Sequence, residues 1–299
     1  MTQTRTAFIA IVGCPNVGKS SILNRLLGQK IAVVSPKPQT TRTKIMGVLT
    51  ESDVQLVFTD TPGFHRPRTK LGEKMVKAVS DSISGVDACL FVVEPSGELR
   101  DAEKDLLGKL KKEKMPVILA INKIDSVKQK ELLIERMAQF SALYDFEAIV
   151  PCSALKGDGF GELKDELFKQ SQPSPHFFPD DTLTDQPERV IAAEIIREKL
   201  LNLLDDEVPH GVAVCIERMH EREDSDITDI DATVYCERES HKGIIIGKKG
   251  EMLKKVSTRA REDMERFFMC KINLHCWVKV KEGWRNREGL IRNFGLDNE

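Results

Sequence analysis

The stretch Gly13-Cys14-Pro15-Asn16-Val17-Gly18-Lys19-Ser20 has the spacing G-x-x-x-x-G-K-S, and it constrains the fold more than any other. The apolar run at residues 7–12 precedes it, and residues 21–27 follow with helical spacing before Gly28. A glycine loop between a buried strand and a helix is the context that separates a phosphate-binding loop from an ordinary turn. Glycines let backbone N–H groups face one concavity, and the helix N-terminus adds partial positive charge. Gly13, Asn16, Val17, Gly18, Lys19, Ser20 and Ser21 therefore form a candidate polyphosphate cradle. Lys19 is expected to reach the β- and γ-phosphates, and the Ser20 hydroxyl to hold a magnesium ion that shares them.

Further signals follow in order. Residues 35–43 hold two prolines and three threonines and read as a loop. A threonine here can reach the magnesium and the γ-phosphate; Thr41 is the first candidate and Thr40 the alternate. The apolar residues 54–58 lead into Asp60-Thr61-Pro62-Gly63, the pattern D-x-x-G. Asp60 can hold the magnesium shell, and the Gly63 N–H can meet a γ-phosphate and move when it leaves. Residues 116–121 deliver Asn122-Lys123-Ile124-Asp125. Asp125 can accept from N1–H and N2–H₂ of guanine, whereas adenine offers no donor at either position and would leave a buried carboxylate unpaired. Asn122 is expected to tie this loop to the first, and the Lys123 stem to cover the base. Residues 148–150 lead to Ser153-Ala154-Leu155, where the Ala154 N–H is expected to meet guanine O6.

Strands alternating with helices predict a doubly wound, mostly parallel α/β domain over residues 1–172, with its loops at the strand C-termini. The motifs in this order resemble the Ras-like GTPase domain. The resemblance implies hydrolysis of GTP to GDP, with Lys19, Thr41 and Gly63 catalytic and Ser20, Thr41 and Asp60 at the magnesium ion. One position departs from the pattern. Where Ras-like proteins carry a glutamine that orients the attacking water, this chain has Phe64, so slow unaided turnover is expected. The hydrophobic residue resembles bacterial translation-factor-related GTPases. In several of these the loop asparagine, here Asn16, helps bind a potassium ion beside the phosphates.

The net charge of −2 averages unlike segments. Residues 1–179 carry +4, residues 180–240 carry −12, residues 242–287 carry +8, and the last twelve carry −2. A basic unit beside an acidic one is the footprint of a polyanion-binding surface. The seven cysteines include no C-x-x-C and read as reduced core thiols of a cytosolic protein. No run approaches the length of a membrane span. Residues 173–188, rich in proline and aspartate, read as a linker, with Phe177 and Phe178 anchoring it to a domain face.

Residues 189–299 hold a second pattern, α-β-β-α-α-β, with Ile246-Gly247-Lys248-Lys249-Gly250 between two helices. It resembles a prokaryotic-type KH domain, a smaller α+β fold. The glycines would let a nucleic-acid backbone pass against the main chain, and Lys248 and Lys249 would pair with its phosphates. Trp277 is expected in the core; Trp284, with Arg285 and Arg287, is a second candidate for RNA contact. A Ras-like domain followed by one KH domain resembles the bacterial Era GTPase family. This implies a monomeric ribosome-biogenesis factor that binds 16S ribosomal RNA near its 3′ end and acts on the 30S subunit. The family's peripheral association with the inner face of the cell membrane has no counterpart in particular residues. Two other readings remain: an RNA-binding scaffold with structural nucleotide, and a GTPase that docks proteins through its KH fold.

Overall fold

The computed structural model describes residues 3–37, 39–65 and 67–297. By contacts the chain divides into two compact units, one running to Asp185 and one from Gln186 onward. The short segments Ser35–Thr40 and Thr69–Leu71 group with the second.

The first unit is built on β1 (Arg5–Gly13), β2 (Ile45–Glu51), β3 (Val54–Asp60), β4 (Ala88–Val93), β5 (Val117–Ile121) and β6 (Ala148–Pro151). They lie in the order β2-β3-β1-β4-β5-β6. The β3-β1-β4-β5-β6 stretch is parallel, and β2 joins antiparallel at one edge. Every residue of β4 and β5 is buried. Such unbroken apolar strands arise where helices cover both faces of a sheet. The helices are α1 (Lys19–Leu27), α2 (Lys70–Ile83), α3 (Asp101–Glu113), α4 (Lys130–Ser141) and α5 (Phe160–Lys169). Gly28, at φ 68°, ends α1 in the left-handed conformation. The parallel register brings the segments after β1, β3, β4, β5 and β6 to one edge of the sheet, where α/β folds bind ligands.

Residues 172–185 lie along this unit. β7 (Gln172–Pro173) pairs antiparallel with β1. The Val48 N–H donates to the Leu183 carbonyl at 2.9 Å, and the Thr184 hydroxyl to Met46 at 2.6 Å, so edge strand β2 is covered. Gln55 holds the backbone at Phe177 and Phe178, and the Phe177 ring meets Phe8 edge-on at 5.1 Å.

The second unit has α6 (Glu188–Leu203), β8 (Ala213–Glu221), β9 (Ile227–Cys236), α7 (Glu239–Ile246), α8 (Glu251–Phe268), β10 (Lys271–Val280) and α9 (Glu288–Asn293). Its sheet runs β10-β9-β8, parallel between β10 and β9 and antiparallel between β9 and β8. Ile196, Leu200, Val256, Ala260 and Met264 face inward at helical spacing onto Ile230, Ala232 and Val234. The tryptophans reverse the sequence expectation. Trp277 is 48% exposed, in phase with the outward residues Lys271, His275 and Lys279 of β10. Trp284 is fully buried, its ring NH donating to the Gly211 carbonyl at 2.9 Å, so it offers no surface to RNA. All seven cysteines are free thiols. Among the described residues no helix is long and apolar enough to cross a membrane.

Candidate functional site

The loop after β1 turns into α1 through Gly18, at φ 97°. A Cβ at Gly18 would lie 2.2 Å from the Asn122 amide nitrogen, so no other residue fits. Lys19 is buried, and its ammonium donates to the carbonyls of Gly13 at 3.2 Å and Cys14 at 3.0 Å. Burial pushes this amine below its ordinary pKa, and the Asp60 carboxylate acts against that shift.

Ser20, Thr41 and Asp60 converge beside it. The Ser20 hydroxyl donates to Asp60 Oδ2 at 2.6 Å and lies 2.9 Å from Thr41 Oγ1. Thr40 is excluded by its own loop: its hydroxyl donates to the Lys37 carbonyl at 2.6 Å. Asp60 is fully buried, and its Oδ1 has no hydrogen-bond partner. Burial raises this carboxyl to about 6, opposed by Lys19 and by hydrogen bonds from Ser20, Thr41 and the Thr61 amide. An orphaned buried carboxylate oxygen flanked by two hydroxyls suits a hard cation. One carboxylate suits magnesium, which takes most of its shell from water and phosphate.

Gly63 closes on the first loop. A Cβ there would sit 2.6 Å from Pro15 Cα, and the next amide, Phe64 N–H, donates to the Gly13 carbonyl at 3.0 Å. The Phe64 ring turns inward among Val79, Ile83, Leu106 and Leu107, with the Lys109 ammonium 4.8 Å from its centroid. His65 Nδ1 donates to the Gly63 carbonyl at 2.7 Å.

A cavity of about 330 Å³ adjoins the loop, lined by Gly18, Ser21, Asn122, Lys123, Asp125, Ser126, Ala154 and Leu155. Asn122 is buried and joins three loops, donating to the Val17 carbonyl at 2.9 Å and accepting from the Ala154 N–H at 3.0 Å. The Ala154 amide expected at guanine O6 thus serves Asn122 in this arrangement. Asp125 accepts from the Ser153 hydroxyl at 2.5 Å. Lys123 stands at φ 67°, and its ammonium donates to the Asn16 carbonyl at 2.5 Å and to Glu94 Oε1 at 2.8 Å. Sequence reasoning did not find Glu94, which follows β4 as an isolated acidic residue.

In the second unit Gly247, at φ 75°, and Gly250, at φ 83°, bracket a sharp turn between α7 and α8. Lys248 and Lys249 are exposed at its tip, and Lys249 itself has φ 51°. Ile246 is half-buried beside them, Ile245 is buried and Ile244 is 50% exposed. Lys254, Lys255 and Arg259 continue the basic surface along α8.

Residues 8–123 match a family described as 50S ribosome-binding GTPase, and residues 207–285 match the KH domain family. The chain is 48% identical over 295 residues to GTPase Era of Clostridioides difficile strain 630, covering 99% of each chain. It is 50% identical over 291 residues to GTPase Era of Ruminiclostridium cellulolyticum, covering 97% of each. It also resembles a crystal structure of a tyrosine-to-alanine variant of Aquifex aeolicus Era bound to GDP and AlF4⁻. The TM-score is 0.94 at 36% identity, over 98% of this chain and 99% of that one. A structure of Era with MgGDPNP and nucleotides 1506–1542 of 16S ribosomal RNA gives 0.93 at 37% identity, over the same shares.

Proposed function

The chain belongs to the family of Era GTPases, and from that premise we propose that it is a GTP-hydrolysing switch. It binds small-subunit ribosomal RNA near the 3′ end and acts in assembly of the 30S subunit in the cytoplasm. The observation that carries the nucleotide half is the cavity beside the first loop, with the Asp125 carboxylate in its wall. The exposed Lys248–Lys249 turn and the relative crystallised with 16S ribosomal RNA support the RNA half.

The residues divide the work. Asp125 accepts from guanine N1–H and N2–H₂, the Lys123 stem covers the ring, and Asn122 holds both loops against the base. Lys19 exchanges the carbonyls of Gly13 and Cys14 for phosphate oxygens. Ser20, Thr41 and Asp60 would hold magnesium, which when bound supplies positive charge shared by the β- and γ-phosphates. Gly63 presents its N–H at the edge of the cradle, where a side chain would collide with Pro15. Preorganised donors of this kind stabilise charge that develops in the transition state. Phe64 orients no water, so fast turnover needs another device, and a monovalent cation would supply one. Asn16 is exposed on the first loop and is our candidate for a potassium ligand. Equal turnover in sodium and potassium would remove that role.

The test is titration of the protein into a labelled oligonucleotide of the 16S 3′ end at fixed salt, with GDPNP and with GDP. A Lys248→Asp/Lys249→Asp variant runs beside it. Binding that prefers the GDPNP form and fails in the variant supports the switch. Binding indifferent to nucleotide favours an RNA scaffold, and binding indifferent to the variant assigns the turn to another partner.

A further inference from the structure

Glu94 follows β4, and both of its carboxylate oxygens are paired. Glu94 Oε1 lies 2.8 Å from the Lys123 ammonium, which in turn lies 2.5 Å from the Asn16 carbonyl. The other carboxylate oxygen accepts from the Arg100 guanidinium. These cations hold the carboxyl below the usual glutamate range, although burial alone would raise it. The loop is also pinned from behind. Arg136, 2% exposed, donates to the carbonyls of Glu94 and Gly97, each at 3.2 Å, and pairs with the fully buried Glu103 at 2.9 Å. Glu103 accepts in turn from the Arg100 N–H at 2.9 Å. The segment from Glu94 to Arg100 is therefore fixed at both ends, with its one inward carboxylate on the lysine of the N-K-x-D loop.

We propose that Glu94 is a positioning residue for the guanine site, clamping the Lys123 ammonium so that the lysine stem stands over the base and ties it to the first loop. Lys123 is a flexible four-carbon side chain at a left-handed backbone position, and it has many rotamers in which its stem leaves the cavity open. The Asn16 carbonyl alone offers one acceptor; Glu94 adds the opposite charge that selects one rotamer. Guanine then meets a wall already ordered, and the entropy of ordering the lysine is not charged to binding. Because the clamp acts on the base and not on the phosphates, its effect is uniform between ground and transition state. It therefore belongs in KM and Kd, not in kcat.

The proposal rests on the guanine reading above, and the experiment separates the two. Fluorescent GDP is titrated into wild type, Glu94→Gln, Lys123→Met and the double variant, with turnover measured at saturating GTP. Glu94→Gln keeps shape and removes charge. It is expected to weaken GDP about two- to fivefold, the range of a partly screened ion pair. The kcat is expected to hold within about twofold. In the Lys123→Met background the same substitution is expected to do nothing further, since its partner is gone. About 1 M salt should close the gap between wild type and Glu94→Gln. Equal GDP affinity of wild type and Glu94→Gln overturns the clamp, and so does an undiminished loss in the Lys123→Met background. A wild type that binds no GDP overturns the guanine reading itself.

Discussion

Phe64 shows how one side chain alters what a motif can do. Its ring belongs to the core beneath α2 and α3, not to the phosphate cradle. Phe64→Gln is therefore expected to destabilise by about 1–3 kcal/mol, because an amide enters an apolar site without partners. It is not expected to accelerate turnover. Urea unfolding and turnover of the same preparation check this; faster hydrolysis at unchanged stability would sink it. Asp125 gives the complementary case. Asp125→Asn replaces an acceptor with an amide whose N–H matches the C2 carbonyl of xanthine. GDP affinity should fall at least about a hundredfold while xanthosine diphosphate gains, as competition against labelled GDP would measure. Residues of this kind were legible because each motif is short and ends an apolar strand. Glu94 was not, since Lys123 lies 29 positions away and an isolated glutamate after a strand has no signature.

At the scale of elements, the register of β10 was legible in principle. Ile272, Leu274, Cys276, Val278 and Val280 share one phase and Trp277 the other. A core Trp277 would have to leave the phase it shares with Lys271, His275 and Lys279. Trp284 could not be placed by period, because its burial depends on Gly211, 73 residues away, and on Phe294. The α3–α4 contact was likewise hidden, because Glu103 and Arg136 lie 33 positions apart on two different helices. Arg136→Met alone should cost about 3–5 kcal/mol by stranding a buried carboxylate, and adding Glu103→Leu should recover most of it. Chemical denaturation of both variants measures this. GDP affinity should stay reduced in the double variant, which no longer pins the Glu94 loop. The segment after β7 carries a pH dependence. Both ring nitrogens of His176 face acceptors, Asp180 at 2.7 Å and the Asp53 carbonyl at 3.2 Å. The Asp180 hydrogen bond raises the His176 pKa despite some desolvation. A raised histidine pKa means stability that is full below the unfolded value of about 6.5 and is lost as pH rises through the folded value. The gap in thermal midpoint between wild type and His176→Gln should therefore be wider at about pH 6 than at about pH 8.

For the whole molecule, the whole-chain net charge and the two separate cores make different statements. The charge of −2 conceals the basic 242–287 segment, which was legible only piecewise. Each unit has its own cluster of buried apolar residues, one around β1, β4 and β5 and one around α6, α8 and β9. Units with separate cores unfold separately unless their contacts bind them into one cooperative body. Guanine nucleotide has its whole candidate site on the first unit, so mass action stabilises that unit alone. Scanning calorimetry should then resolve two transitions. GDP at about a hundred times its Kd should raise the one containing the nucleotide loops by about 2.7 kcal/mol and leave the other in place. A 16S 3′-end oligonucleotide should do the reverse, in low salt more than in high. If GDP moves both transitions together, the molecule unfolds as a single cooperative body. Nucleotide and RNA would then be linked through stability itself, and each would have to raise the affinity for the other by the same factor.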